Sequence, residues 1–203
     1  MVVPRPLCYS PLAMPDRDEH LRWTELSRRT LASNALFDLV AARRVSRSGK
    51  SGEFWILEAR DWVTVVPVVH DPGGIRSFLM VRQYRHGADL VTTEFPAGMV
   101  EKGEDPSVAA ARELQEETGY RSGRLTLISE LRPNPAFMTN RCYTFLAEDL
   151  VPDSSLSPDE LELLEPIALT LEEADARMGS GELVNAMTAV ALMAYHRHLA
   201  ASP

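Results

Sequence analysis

Around residue 55 the chain alternates, with Trp55, Leu57 and Ala59 interleaved with Ile56, Glu58 and Arg60. That period of two predicts a half-buried strand. The preceding Ser48-Gly49-Lys50-Ser51-Gly52 predicts a hairpin loop. Trp62 to Val69, WVTVVPVV, is a nearly continuous β-branched run, and Pro67 within it predicts an edge or a bulge. Asp71-Pro72-Gly73-Gly74 is a turn signal, with Ile75 to Tyr84 as the returning strand. Residues 20–85 therefore read as strands joined by hairpins. The pattern changes at Asp105-Pro106, an N-cap followed by proline at the first helical position. Ala109, Ala110, Ala111, Leu114 and Gln115 favour helix and Gly119 supplies a stop, which predicts a helix over 106–118. Strands at 124–131 and 141–147, a Pro/Ser/Asp loop at 151–158, and helices at 171–178 and 182–199 complete the expectation. Strands with interspersed helices and no regular βαβ alternation indicate an α+β fold.

Composition narrows the partners. With 203 residues, 45% of them hydrophobic, the chain has material for one sizeable domain or a core plus a small accessory unit. The apolar fraction and the lack of repeats exclude collagenous and disordered classes. No apolar run approaches the roughly 18 residues that span a bilayer, and four prolines interrupt Met1 to Pro15, against a signal peptide. Cys8 and Cys142 read as free thiols in a reducing compartment, so the expectation is a cytoplasmic protein with no membrane partner. Basic residues number 21 against 29 acids, a net charge of −8, and they are scattered rather than run together. That average field argues against a nucleic-acid partner. A small anionic substrate is compatible with it where something local cancels the repulsion.

Glu113, Glu116 and Glu117 fall at i, i+3 and i+4 of the predicted helix and share one face. Like charges about 4 Å apart repel by about 4 kcal/mol at an effective dielectric near 20. Arg112 is expected to offset one of these charges, whereas a divalent cation offsets all of them. Oxygen-only ligands favour Mg²⁺ or Mn²⁺ over zinc. A solvated acidic face is the commoner fate of such a cluster. Against that, Phe95-Pro96-Ala97-Gly98-Met99-Val100 forms an apolar loop leading straight to the helix, with Gly98 placed for close backbone approach.

Gly98, five residues, Glu104, seven residues, then Arg112-Glu113-Leu114-Gln115-Glu116-Glu117-Thr118-Gly119-Tyr120 resembles the Nudix box, GX5EX7REUXEEXGU, at every fixed position; Tyr120 stands where an aliphatic residue is commonest. EFPAGMVEKGED, RQYR at Arg82 to Arg85, ELVNAMTAVAL at Glu182 to Leu192, and Pro135, 15 residues after the box, are similar to the ADP-ribose and nucleotide-sugar pyrophosphatase branch. The resemblance implies a Nudix α/β/α sandwich around a mixed sheet over residues 61–203. It also implies a small N-terminal antiparallel β-sheet domain, residues 1–60, swapped across a homodimer.

The implied activity is metal-dependent hydrolysis of the diphosphate of ADP-ribose or a related nucleotide sugar, giving a nucleoside monophosphate and a sugar phosphate. By resemblance, Glu113, Glu116 and Glu117 and the backbone carbonyl of Ala97 are the Mg²⁺ or Mn²⁺ ligands. Arg112 and Glu104 orient the glutamates and hold the loop. A glutamate on a late loop, Glu162 or Glu160, serves as base for the water, an acidic loop leading into a strand being an equal reading of the same segment. Arg85, with Arg82 assisting, contacts phosphate or the distal sugar; for Arg82 a surface salt bridge explains the residue equally well. A stacking aromatic for the base would come from Trp23, Phe37 or Trp55, each expected rather in a core, as is Tyr84. The family's Ser-Pro-Gly-Phe and following acid are replaced here by Asn134-Pro135-Ala136-Phe137-Met138-Thr139-Asn140, which opens the substrate to GDP-mannose, UDP-glucose or another nucleotide sugar. Two other functions fit the same box: a catalytically silent nucleotide sensor, and a house-cleaning nucleoside triphosphate pyrophosphatase.

Overall fold

A computed structural model describes residues 16–70, 73–153 and 163–201. The chain divides into two compact units, Met1–Glu58 and Ala59–Pro203. In the first, a short 3-10 turn, Asp16–Leu21, precedes β1 (Trp23–Ser33), β2 (Phe37–Ser46) and β3 (Ser51–Ala59), which form a three-stranded sheet in that order. Asn34 closes the first hairpin by accepting the amides of Leu36 and Phe37 at 2.8 and 2.9 Å. Gly49, at φ 84°, closes the second within the segment expected to turn. The aromatic residues differ from expectation: Trp23 is 42% and Trp55 60% exposed, while Ile56 is the buried residue of β3. Trp23 and Phe54 meet edge to face at 5.2 Å.

The second unit contains β4 (Trp62–His70), β5 (Arg76–Arg85), β6 (Leu90–Glu94), β7 (Ala97–Met99), α1 (Pro106–Thr118), β8 (Tyr120–Leu131), β9 (Cys142–Pro152), β10 (Leu164–Thr170), α2 (Leu171–Arg177) and α3 (Ala186–Ala201). Its mixed sheet runs β10-β5-β4-β9-β8, with β6 paired to β5 and β7 to β4. The β4–β9 pair is parallel and the other pairs whose register is resolved are antiparallel. Helices on the two faces bury two clusters. Val63 and Val65 pack with Ala109, Ala110 and Leu114 of α1. Val66, Val68, Phe78 and Met80 pack with Leu192 and Tyr195 of α3 on the opposite face.

Pro67 was expected at an edge or bulge, yet β4 is central. Its antiparallel partner changes from β7 at Trp62–Thr64 to β5 at Val68–His70, and Pro67 lies between, paired in parallel with Ala147. The missing amide falls where that side changes partner. β6 and β7 were not foreseen: their segment is short and reads as loop until a neighbour supplies hydrogen bonds. Likewise β9 extends through Val151 and Pro152, expected as loop, because Arg121 and Tyr120 of β8 pair with them. Tyr84 is 45% exposed rather than core and donates a hydrogen bond to Asp89. Cys142 is buried, which pushes its thiol up to about 11. No helix among the described residues is long and apolar enough to cross a membrane.

The helix over 106–118 is as expected. Asp105 accepts from the Ser107 amide at 2.8 Å, and Gly119 ends the helix at φ 74° with its amide on the Gln115 carbonyl at 2.8 Å. An alanine there enters the left-handed region at a cost of about 1 kcal/mol. Gly119→Ala should therefore lower Tm by about 2–4 °C in thermal unfolding.

Candidate active site

α1 projects its glutamates into a partly buried network. Glu113 and Glu117 are 9% and 1% exposed, so this is no solvated acidic face. The chain leaves β6 through Phe95-Pro96 and runs along β4 as β7, opposite Val63 on the α1 face. A β-carbon on Gly98 would lie 2.0 Å from Oε1 of Glu113. Only glycine lets the strand and this carboxylate come so close. The Ala97 amide donates to Oε2 of Glu117 at 3.2 Å, so both buried helix carboxylates meet this loop.

Arg112 binds the ensemble more broadly than expected. Its guanidinium donates to Glu104 through Nε and Nη2 (both 3.2 Å), to Glu113 at 2.8 Å, to Glu116 at 3.0 Å and to the Met99 carbonyl at 3.1 Å. The fork thus serves two of the three helix glutamates rather than one, and Glu104 besides. Glu104 also accepts the Glu101 amide at 2.8 Å. The hydrogen bond from Arg112 holds the Glu104 carboxyl below the usual carboxylate range, and Glu104 in turn raises the guanidinium pKa against the effect of desolvation.

Two arginines of β5 lie in separate networks. Arg85 grips Glu94 through Nε at 3.0 Å and Nη2 at 2.7 Å. Arg82 donates to Glu165 at 3.0 Å and Glu182 at 3.1 Å, the ion-pair reading of this residue. The Glu182 carboxyl is lowered chiefly by Arg82 and then by Thr93.

Comparison with known proteins decides the family. Residues 60–187 match the model described as the NUDIX domain. The chain belongs to the Nudix hydrolase family. This Nudix chain is 36% identical over 173 residues to the ADP-ribose pyrophosphatase of Bacillus subtilis (strain 168), covering 82% of this chain and 91% of that one. It is 31% identical over 179 residues to the ADP-ribose pyrophosphatase of Mycobacterium tuberculosis, covering 84% and 82%. It also matches a solved structure described as "Crystal structure of ADP compounds hydrolase", with a TM-score of 0.77 and 26% identity over 88% of this chain and 95% of that one.

Within this Nudix fold the structure brings Ala97, Gly98, Glu104, Arg112, Glu113, Glu116 and Glu117 together. It does not gather the expected metal ligands into a closed set: no three His, Cys, Asp or Glu side chains among the described residues are arranged to hold an ion. Glu113 and Glu116 turn to Arg112 instead, and Glu117 to the Ala97 amide. Glu160 and Glu162 lie outside the described residues. Glu94 and Glu182, which hold the two arginines, were not singled out from the sequence. Their signal was present, as the acids of EFPAG and GELVN.

Gly98→Ala tests the close approach. The atoms in the way are the mobile end of Glu113, so the fold should tolerate the methyl while the carboxylate is displaced. Turnover should fall about 100-fold, the effect of roughly 1 Å of misplacement, with Tm changed by less than about 3 °C.

Proposed function

We propose that this chain is a divalent-metal-dependent pyrophosphatase of ADP-ribose and related nucleoside diphosphate sugars, releasing a nucleoside monophosphate and a sugar phosphate. The carrying observation is the convergence of the Gly98 loop on the buried glutamates of α1. The reading is supported by similarity over 82% and 84% of this chain to two proteins named ADP-ribose pyrophosphatase. The donor chemistry fits a hard cation: carboxylates and a backbone carbonyl are available, and a guanidinium already balances Glu113 and Glu116 as a cation would. Glu113, Glu116, Glu117 and the Ala97 carbonyl would hold Mg²⁺ or Mn²⁺. When bound, such an ion neutralises diphosphate charge and acidifies water.

The chain's own groups complete the chemistry. Glu104 and Arg112 hold the loop and helix in register, Arg85 and Arg82 bind the diphosphate or distal sugar, and Glu162 or Glu160 takes the proton of the attacking water. Arg82 and Arg85 are already matched by Glu165, Glu182 and Glu94, so the positive charge that a protein of net charge −8 needs to receive an anion would come from the divalent cation. We place the enzyme in the cytoplasm and assign residues 1–60 to dimerisation, the sheet being swapped across a homodimer. In support, β1 is exposed at every position but Leu31 and carries Trp23 and Leu26. Exposed apolar side chains on an edge strand offer a surface that another chain can cover.

The purified chain with Mg²⁺ should release a nucleoside monophosphate from one or more of ADP-ribose, GDP-mannose and UDP-glucose, and EDTA should abolish release. Glu117→Gln should lower turnover about 100-fold or more; near-normal activity would remove it from the site. Silence of the wild type across the panel, with ligand still bound, would make the protein a nucleotide sensor. Gel filtration should give a dimer for the full chain and a monomer after deletion of residues 1–60. An active monomeric full chain would refute the swapped sheet.

A further inference from the structure

β6 ends in a carboxylate that the proposed chemistry leaves without a task. Glu94 is 2% exposed, and three donors from three places converge on it. Arg85 reaches both carboxylate oxygens, at 3.0 and 2.7 Å, and Thr92 donates to Oε1 at 2.5 Å. The Asn185 side chain also donates to it, while its own Oδ1 accepts the Met187 amide at 2.8 Å at the start of α3. Glu94 is thereby tied to strand, helix and arginine at once.

Register places this assembly. Phe78 and Met80 of β5 face the α3 cluster, so Val81, Gln83 and Arg85 face the other way. Across the antiparallel pair Glu94 stands opposite Val81, and Thr92 opposite Gln83. Arg85 and Glu94 therefore lie on the face that carries α1, toward which Gly98 opens onto Glu113. The two ends of the pair differ: the Glu94 side chain is 2% exposed and that of Arg85 41%. Its neighbour Arg82 is held by carboxylates that are 67% and 49% exposed, pairs that water competes with freely.

We infer that Glu94 is a positioning residue for Arg85, its buried carboxylate gripping Nε and Nη2 so that the guanidinium plane meets the substrate diphosphate in one orientation. The inference rests on the reading of Arg85 as a diphosphate contact. An arginine loses rotamer freedom when it binds an anion, and a bidentate anchor removes that freedom beforehand. Glu94 is not itself an acid or base. Burial pushes its carboxyl up, but the hydrogen bonds from Arg85, Asn185 and Thr92 outweigh burial and leave it below the ordinary carboxylate range. Both oxygens are engaged and the side chain is buried, so water has little access to it.

The test is a double-mutant cycle on the full chain, read by calorimetric titration with ADP in Mg²⁺ buffer and by steady-state kinetics with ADP-ribose. Arg85→Ala and Glu94→Gln should each weaken ADP and raise KM about tenfold, with kcat within about threefold, the signature of lost uniform binding. Adding Glu94→Gln to Arg85→Ala should change either constant by less than about twofold. Factors that multiply in the double variant, or a Glu94→Gln that lowers Tm and kcat with KM and ADP affinity unchanged, would overturn the inference. If Glu94→Gln does not fold, Glu94→Asp keeps the charge and carries the test: a smaller rise in KM that vanishes beside Arg85→Ala supports it, and one that persists refutes it. An unchanged Arg85→Ala removes the Arg85 assignment and this inference together but leaves the hydrolase standing. A wild type that hydrolyses no sugar diphosphate ends the hydrolase reading, while the ADP cycle still decides the role of Glu94.

Discussion

The guanidinium of Arg112 is the interaction on which the site depends. Three glutamates spaced at i, i+3 and i+4 repel one another, and two of them are buried. Such a face is stable only beside a cation that reaches several carboxylates together. Arg112 reaches Glu104, Glu113 and Glu116, and its remaining contact is the Met99 carbonyl at the end of β7. One planar fork therefore fastens the loop to the helix and sets the separation between them. A lysine would carry the same charge without the geometry.

What brings the loop there is an exchange of partners in the sheet. β4 pairs first with β7 and then with β5, while β5 pairs first with β4 and then with β6. The short passage through Phe95-Pro96 carries the chain from the edge of β5 to the edge of β4. This places Glu94 and Gly98 on the α1 face within a few residues of each other. Phe95 points the opposite way into the α3 core, against Phe78 at 5.3 Å. Core packing on one face thus fixes the polar chemistry on the other. The same exchange accommodates Pro67 in a central strand.

Family membership carries the reaction class further than it carries the substrate. The box residues are a local constellation on one loop and one helix, so they transfer as a block. The proposed substrate contacts are assembled differently, from β5, β6 and the segment before α3, which meet through the pairs of Arg82 with Glu182 and Arg85 with Glu94. Asn140, in the segment that departs from the family pattern, is 2% exposed. Residues gathered from distant segments can change one at a time, whereas the box changes only as a block.

The sequence by itself determined the glutamate-bearing helix, the reason for its caps, the position of Gly98 and the box. Each of these depends on neighbours in the chain: a cap needs Asp105 and Ser107 two residues apart, and a carboxylate face needs only helical spacing. The main strands were legible for the same reason, as runs of β-branched or alternating residues. Tertiary structure alone decided β6, β7 and the far end of β9, because a strand without strong periodicity exists only where another strand offers hydrogen bonds. It also decided which carboxylates each arginine holds. Glu94 meets Arg85 across nine residues and Asn185 across ninety-one, and Glu182 meets Arg82 across a hundred. Local propensity says nothing about such pairings, and the sheet register that creates them is settled by burial of the other face.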